Sequence, residues 1–180
     1  MHIRLAQPSD AGGIARVHVD SWRSTYRGMM PDSYLAGLSY EQRENYWRSL
    51  LMHSPETPQS IYVAEDDAGT IVGFACGGIE REHDPVYRGE LYAIYLLADH
   101  QKQGIGRELT QAVAQRLLDA GIDSMLVWVL AENPSRAFYE SLGGQYVREK
   151  PIMIGDVTLT EVAYGWRDLQ SLITPTSNVS

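Results

Sequence analysis

The chain has 180 residues, 44% of them hydrophobic, and a formal net charge of −8. That suits one domain with a packed core. It argues against sequence-independent nucleic-acid binding, which rests on clustered Lys and Arg. The acidic balance fits a cationic ligand such as an amine, and it equally fits plain solubility.

Residues 2–6 read as a short strand. Pro8-Ser-Asp10 offers helix caps. A helix is expected from Asp10 to Tyr26, with Ile14, Val17, Ser21 and Trp22 inward, and Gly28 and Pro31 end it. Helices follow over Asp32–Leu38 and Glu41–His53, then a loop at Ser54–Pro58. Ile61–Glu65 and Thr70–Ile79 read as a hairpin around Asp66-Asp-Ala-Gly69. Cys76 lies in the second of these strands. As the one cysteine, it excludes an internal disulfide and suits a reducing compartment. It reads as a buried thiol rather than a nucleophile.

Glu90–Leu97 is the next strand. A polar turn with Gly104 and Gly106 follows, then a helix to Ala120 with Ile105, Leu109, Val113 and Leu117 on one stripe. Ser124–Leu130 is a continuous apolar strand, buried on both faces. Asn133-Pro134 is expected to cap a helix ending at Leu142. Tyr146–Ile154 and Val157–Trp166 form a closing hairpin around Gly155-Asp156. The reading is one domain over 1–170 and a disordered tail over 171–180. The fold class is α+β (mixed α/β), a mixed sheet with helices on both faces. The N-terminus lacks a signal-peptide apolar region. No apolar run nears the ~20 residues that span a bilayer. A cytoplasmic protein without membrane partners is expected. The five histidines have no ligand spacing, so no metal is expected.

The segment from Leu91 to Thr110 carries the most chemistry. A strand, a turn with two glycines and a helix start make an anion cradle. Glycine lets the backbone come close to a ligand, and the unpaired N–H groups of a helix start favour negative charge. A nucleotide P-loop would need Gly-Lys-Ser/Thr, but Arg107 and Glu108 follow Gly106. A dinucleotide fingerprint would need a third glycine where Leu109 stands. The pattern Gln101-x-x-Gly104-x-Gly106 instead resembles the pyrophosphate loop of the GNAT superfamily of acyl-CoA-dependent N-acetyltransferases. Asn133 with Tyr139 six residues on, then Gly143, is similar to a second family segment. Glu90, eleven residues before Gln101, matches family members with a glutamate on this strand.

The resemblance implies acetyl-CoA as co-substrate and no metal. It implies direct transfer to a primary amine in a ternary complex; it does not fix the acceptor, which is read as a small-molecule amine. A peptide N-terminus or lysine, or a non-catalytic acyl-CoA-binding module, is the alternative. The fold it implies has a mostly antiparallel sheet in which the Glu90 strand splays from the Ser124–Leu130 strand. Tyr139 would be the general acid and Glu90 the general base. Tyr139 reads otherwise as a packed aromatic, and Glu90 as a solvated strand-end acid. Backbone groups of Ile94, Tyr95 and Leu96 would meet the pantetheine arm or polarise the thioester. The stretch Gln101, Lys102, Gln103, Gly104, Ile105, Gly106 and Arg107 would hold the pyrophosphate. Asn133 would cap its helix, bind pantetheine, or both. Strand alternation places Glu90, Tyr92, Ile94 and Leu96 on one face. Trp22, Tyr26 and Tyr92 are candidates for the acceptor pocket, with core packing as the plainer role of Trp22. A monomer or a homodimer fits equally.

Overall fold

A computed structural model describes residues 1–53 and 59–174. The loop read over Ser54–Pro58, and everything from residue 175 on, lies outside the described residues. The strands are β1 (His2–Leu5), β2 (Ser60–Glu65), β3 (Ile71–Ile79), β4 (Gly89–Leu96), β5 (Met125–Leu130), β6 (Gln145–Ile154) and β7 (Val157–Trp166). The helices are α1 (Ala11–Thr25), α2 (Asp32–Ala36), α3 (Tyr40–Met52), α4 (Ile105–Asp119), α5 (Arg136–Ser141) and α6 (Gln170–Ile173). The seven strands form one sheet in the order β1-β2-β3-β4-β5-β7-β6. All neighbours are antiparallel except β4 and β5.

Periodicity decides which side each helix covers. The stripe Ile105, Leu109, Val113 and Leu117 is buried at every position and packs on Val72, Ala75, Leu91 and Val127. The opposite face is covered by α1 and α3, where Ile14, Val17 and Trp47 meet Val63 and Phe74. With helices on both faces, β3 has no reason to alternate, and it is buried from Ile71 to Gly78. Full burial of one such Leu or Val contributes roughly 1.5–3 kcal/mol. Several boundaries differ from the sequence reading by one or two residues, and two of the differences bear on the packing. α5 begins at Arg136, two residues late, because Pro134 and Ser135 form a turn in which Asn133 Oδ1 accepts from the Ser135 N–H at 2.8 Å. Residues 171–173, assigned to a loose tail, belong to α6, where Leu172 is buried against the α4 face of the sheet.

β4 is the irregular strand. Cys76 pairs with Ala93 but Gly77 pairs with Leu91, so Tyr92 is an extra residue. Such a bulge reverses the alternation beyond it. Leu91, Ile94 and Leu96 therefore face α4, while Tyr92, Ala93 and Tyr95 face α1. This corrects the expected alternation: Glu90 stands opposite in direction to Leu91, and it shares a face with Tyr92 but not with Ile94 or Leu96. The β4–β5 ladder holds only three pairs, Gly89–Met125, Glu90–Leu126 and Leu91–Val127. Past Leu91 the two strands part, and a gap opens through the middle of the sheet.

Candidate active site

The gap exposes specific backbone groups. Leu97 donates its N–H to Val72 O at 3.0 Å. In an antiparallel ladder the bonded pairs alternate, so Tyr95 bonds to β3, and Ile94 and Leu96 direct their N–H and C=O groups into the gap. Leu96 O is met there by Ser21 Oγ at 3.3 Å and Gln101 Nε2 at 3.2 Å. Across the gap, Ala131 bonds to Thr160, which by the same alternation leaves the backbone of Trp128 and Leu130 facing β4. The backbone role expected of Tyr95 is thus taken up by β3. Tyr95 reaches the site through its ring instead.

On the α4 side the gap meets the glycine turn. Lys102 (φ 61°) and Gly104 (φ 87°) both hold the left-handed conformation that folds the backbone N–H groups inward. The first bond of α4 runs from Glu108 N to Gly104 O, so the N–H groups of 105–107 lack helical acceptors. Among the described residues no acceptor takes the N–H of residues 102–107. Gln101 differs, because its N–H is used on Ala98 O. Gly104 is exposed beside the cavity, and a Cβ there would meet nothing within 4 Å. A Cβ on Gly106 would lie 3.1 Å from the Phe138 ring. The Gln103 side chain turns back to Asp99 O, and Ile105 is a core residue. Those two side chains do not line the cavity, whereas Gln101, Lys102, Gly104, Gly106 and Arg107 do.

One cavity of about 1460 Å³ runs from this cradle through the gap to the α1 side. Tyr139 stands at the crossing. It is buried and stacked on Tyr164, with ring centroids 6.3 Å apart. Its ring lines the cavity, and no hydrogen bond to its hydroxyl contributes to its proton affinity. Burial and the nearby Tyr26 push its proton affinity well up, so the phenol stays protonated at neutral pH. Asn133 is also buried. Its Oδ1 is committed to Ser135, and it lines the cavity beside Tyr139. On the α1 side Tyr26 Oη lies 3.4 Å from Tyr95 Oη. The Trp22 ring meets Tyr26 edge-on at 5.0 Å.

Glu90 is buried, 2% exposed. Arg81 holds it from both sides, Nη2 to Oε1 at 2.6 Å and Nε to Oε2 at 3.1 Å. The same guanidinium lies over the Tyr92 ring at 4.3 Å. Glu90 thus stands at the closed end of the gap, tied to arginine, rather than where the strands part.

The family model for the acetyltransferase (GNAT) family matches residues 19–144. An uncharacterized N-acetyltransferase of Bacillus subtilis, YuaI, is 43% identical over 172 residues, 96% of each chain. The chain belongs to the GNAT acetyltransferase family. It is an acyl-CoA-dependent N-acetyltransferase. Two solved folds agree with the acetyltransferase's architecture. PaiA N-acetyltransferase of Thermoplasma acidophilum, solved with coenzyme A, superposes at a TM-score of 0.71 with 21% identity, covering 89% of this chain and 96% of its own. The putative acetyltransferase yncA of Salmonella typhimurium, solved with acetyl-CoA, gives 0.68 with 19% identity and covers 98% of each.

Several residues of the acetyltransferase cavity escaped the sequence reading. Arg81, Trp128, Lys150 and Glu161 all line its α1 side. Lys150 Nζ lies 4.1 Å from the centre of the Trp128 ring. Glu161, with 12% of its side chain exposed, lies 3.5 Å from Lys150. The one signal was a glutamate set directly before the apolar run Val162-Ala-Tyr-Gly-Trp166. Its neighbours in space come from other strands, and no spacing along the chain announces them. Cys76 is a core residue, and burial pushes its thiol up to about 12. Among the described residues no group of three His, Cys, Asp or Glu is placed to hold a metal ion, and no helix is long and apolar enough to cross a membrane.

Proposed function

We propose that the enzyme moves an acetyl group from acetyl-CoA to a primary amine on a small molecule, directly, within a ternary complex. The observation that carries this reading is the gap itself. It joins an anion cradle on one side of the sheet to an aromatic, charge-lined chamber on the other, with a protonated phenol between them. In this reading the pyrophosphate sits on the N–H groups of 102–107, and the pantetheine arm pairs with the backbone of Ile94 and Leu96. The thioester carbonyl faces an N–H of that same run. Tyr139 donates its proton to the departing sulfur. Direct transfer is favoured because the single thiol, Cys76, is buried in the core away from the gap.

A small acceptor is favoured by the walls of the chamber. Trp22, Tyr26, Tyr92 and Trp128 line it beside Glu82, Glu90 and Glu161. Aromatic faces and carboxylates together suit a desolvated ammonium. The test is thiol release from acetyl-CoA by the purified protein against a panel of small amines and a set of peptides. Release with a small amine and none with peptides is expected. Release with peptides alone would overturn the small-molecule reading. No binding of acetyl-CoA by calorimetry would overturn the whole of it.

A further inference from the structure

We propose that Glu161, on β7, receives the ammonium group of the acceptor and takes its proton before transfer. The inference rests on the acetyl-transfer reading above and adds the group that prepares the nucleophile.

Register carries the argument. Glu161 pairs with Leu130, the last residue of β5. Glu90 pairs with Leu126, at the closed end of the gap. Leu126 and Leu130 are four residues apart, about 13 Å along a strand at ~3.3 Å per residue. β4 and β5 run parallel, so the free backbone of Ile94 and Leu96 lies at the Leu130 end. Glu161 is therefore level with the place where a thioester would be held, and Glu90 is well below it. Directly paired residues share a face, and Leu130 packs with Tyr26 and Met30. Glu161 thus faces the acceptor chamber, whose lining includes it.

The carboxylate is also the least committed in that chamber. Both oxygens of Glu90 are held by Arg81. Lys150, from β6, is paired with Glu82 and reaches Glu161 only at 3.5 Å. Among the described residues Glu161 accepts no closer contact. Burial raises its proton affinity above the usual carboxylate range. Lys150 pulls it partly back, and Glu82 and Glu90 add to the rise. A largely buried carboxylate so placed can hold an ammonium and accept its proton.

The step balances. The ammonium gives one proton to Glu161, which passes it to solvent. The neutral nitrogen attacks the thioester carbon, forming the C–N bond. The C–S bond breaks, and Tyr139 protonates the sulfur. The second nitrogen proton returns to Tyr139.

The test compares Glu161→Gln, Glu161→Asp and Glu90→Gln with the unaltered enzyme, measuring kcat/KM for an amine across pH 5–9 and the Kd of acetyl-CoA. General-base removal is worth on the order of 100-fold or more. Glu161→Gln should lose that much kcat/KM and the acid limb of the profile, with acetyl-CoA Kd unmoved, and Glu161→Asp should recover part of the rate. A Glu161→Gln enzyme with the original profile would overturn the proposal, as would an acid limb that vanishes only in Glu90→Gln. The two readings fail differently. Wild-type turnover with an indifferent Glu161→Gln sinks this proposal alone. A wild-type enzyme that releases no thiol with any amine sinks both.

Discussion

The hydroxyls of Tyr26 and Tyr95 stand 3.4 Å apart, one at the end of α1 and the other on β4. The contact ties the helix to the strand on the α1 side of the gap. Both groups are largely shielded from water, and burial raises the proton affinity of each phenol. Tyr26→Phe leaves the Tyr95 hydroxyl in this shielded place without that partner. The expected cost is about 1 kcal/mol of folding stability, read as a lower denaturant midpoint with an unchanged slope. An unmoved midpoint would mean the pair carries no weight.

Tyr139→Phe tests the proposed proton donor. The ring stays, so its stacking on Tyr164 and its place in the core are kept. No hydrogen bond to the lost hydroxyl contributes to its proton affinity. Stability and acetyl-CoA affinity should therefore hardly change. Turnover should fall about 100-fold, the low end for a general acid. Steady-state kcat beside calorimetric Kd checks this, and equal losses in both would overturn the assignment.

Why was so much of this legible in the sequence, and where did legibility stop? The stripe Ile105, Leu109, Val113, Leu117 repeats at helical spacing, so a local pattern fixed both the helix and its buried face. The glycine turn was legible for the same reason, since Gly104 and Gly106 act through their own backbone. The β4 bulge was not. Tyr92 is unexceptional as a strand residue, and only its pairing with β3 makes it the extra one. That one insertion reversed the faces of Ile94 and Leu96 relative to Glu90, and it moved the free backbone away from Tyr95. Glu161 lay further out of reach. Its environment is assembled from β5, β6 and β7, and long-range pairing leaves no trace in residue spacing.

Gly106→Val tests the cradle. The added side chain starts 3.1 Å from the Phe138 ring and 3.5 Å from Leu96, so Phe138 must move or the turn must open. Either change displaces the N–H groups proposed to converge on the pyrophosphate. Acetyl-CoA Kd should rise at least about 10-fold, equivalent to ~1.4 kcal/mol. Calorimetry on a variant that still unfolds cooperatively checks it. Unchanged affinity would remove the 102–107 turn from the binding site.

His18 sets a limit on acid stability. It is buried beneath Trp22, Trp47, Phe74 and Tyr95, and it stacks on Tyr95 at 5.5 Å. Its Nδ1 accepts from Trp47 Nε1 at 3.1 Å, a bond that suits the neutral ring. Burial, with a smaller push from Arg43, lowers its pKa from 6.5 to about 4. The unfolded chain therefore binds this proton more readily than the folded one. The stabilisation is whole above pH 6.5 and is lost as pH falls toward 4. The loss should reach about 2 kcal/mol at pH 5 and about 3 kcal/mol below pH 4. His18→Phe removes the titrating group but keeps an aromatic ring in the stack. It gives up the Trp47 bond, so the variant should be less stable at pH 8. Its thermal midpoint should then fall less between pH 8 and pH 5 than that of the unaltered protein. Parallel curves for the two proteins would mean that His18 does not titrate in this window.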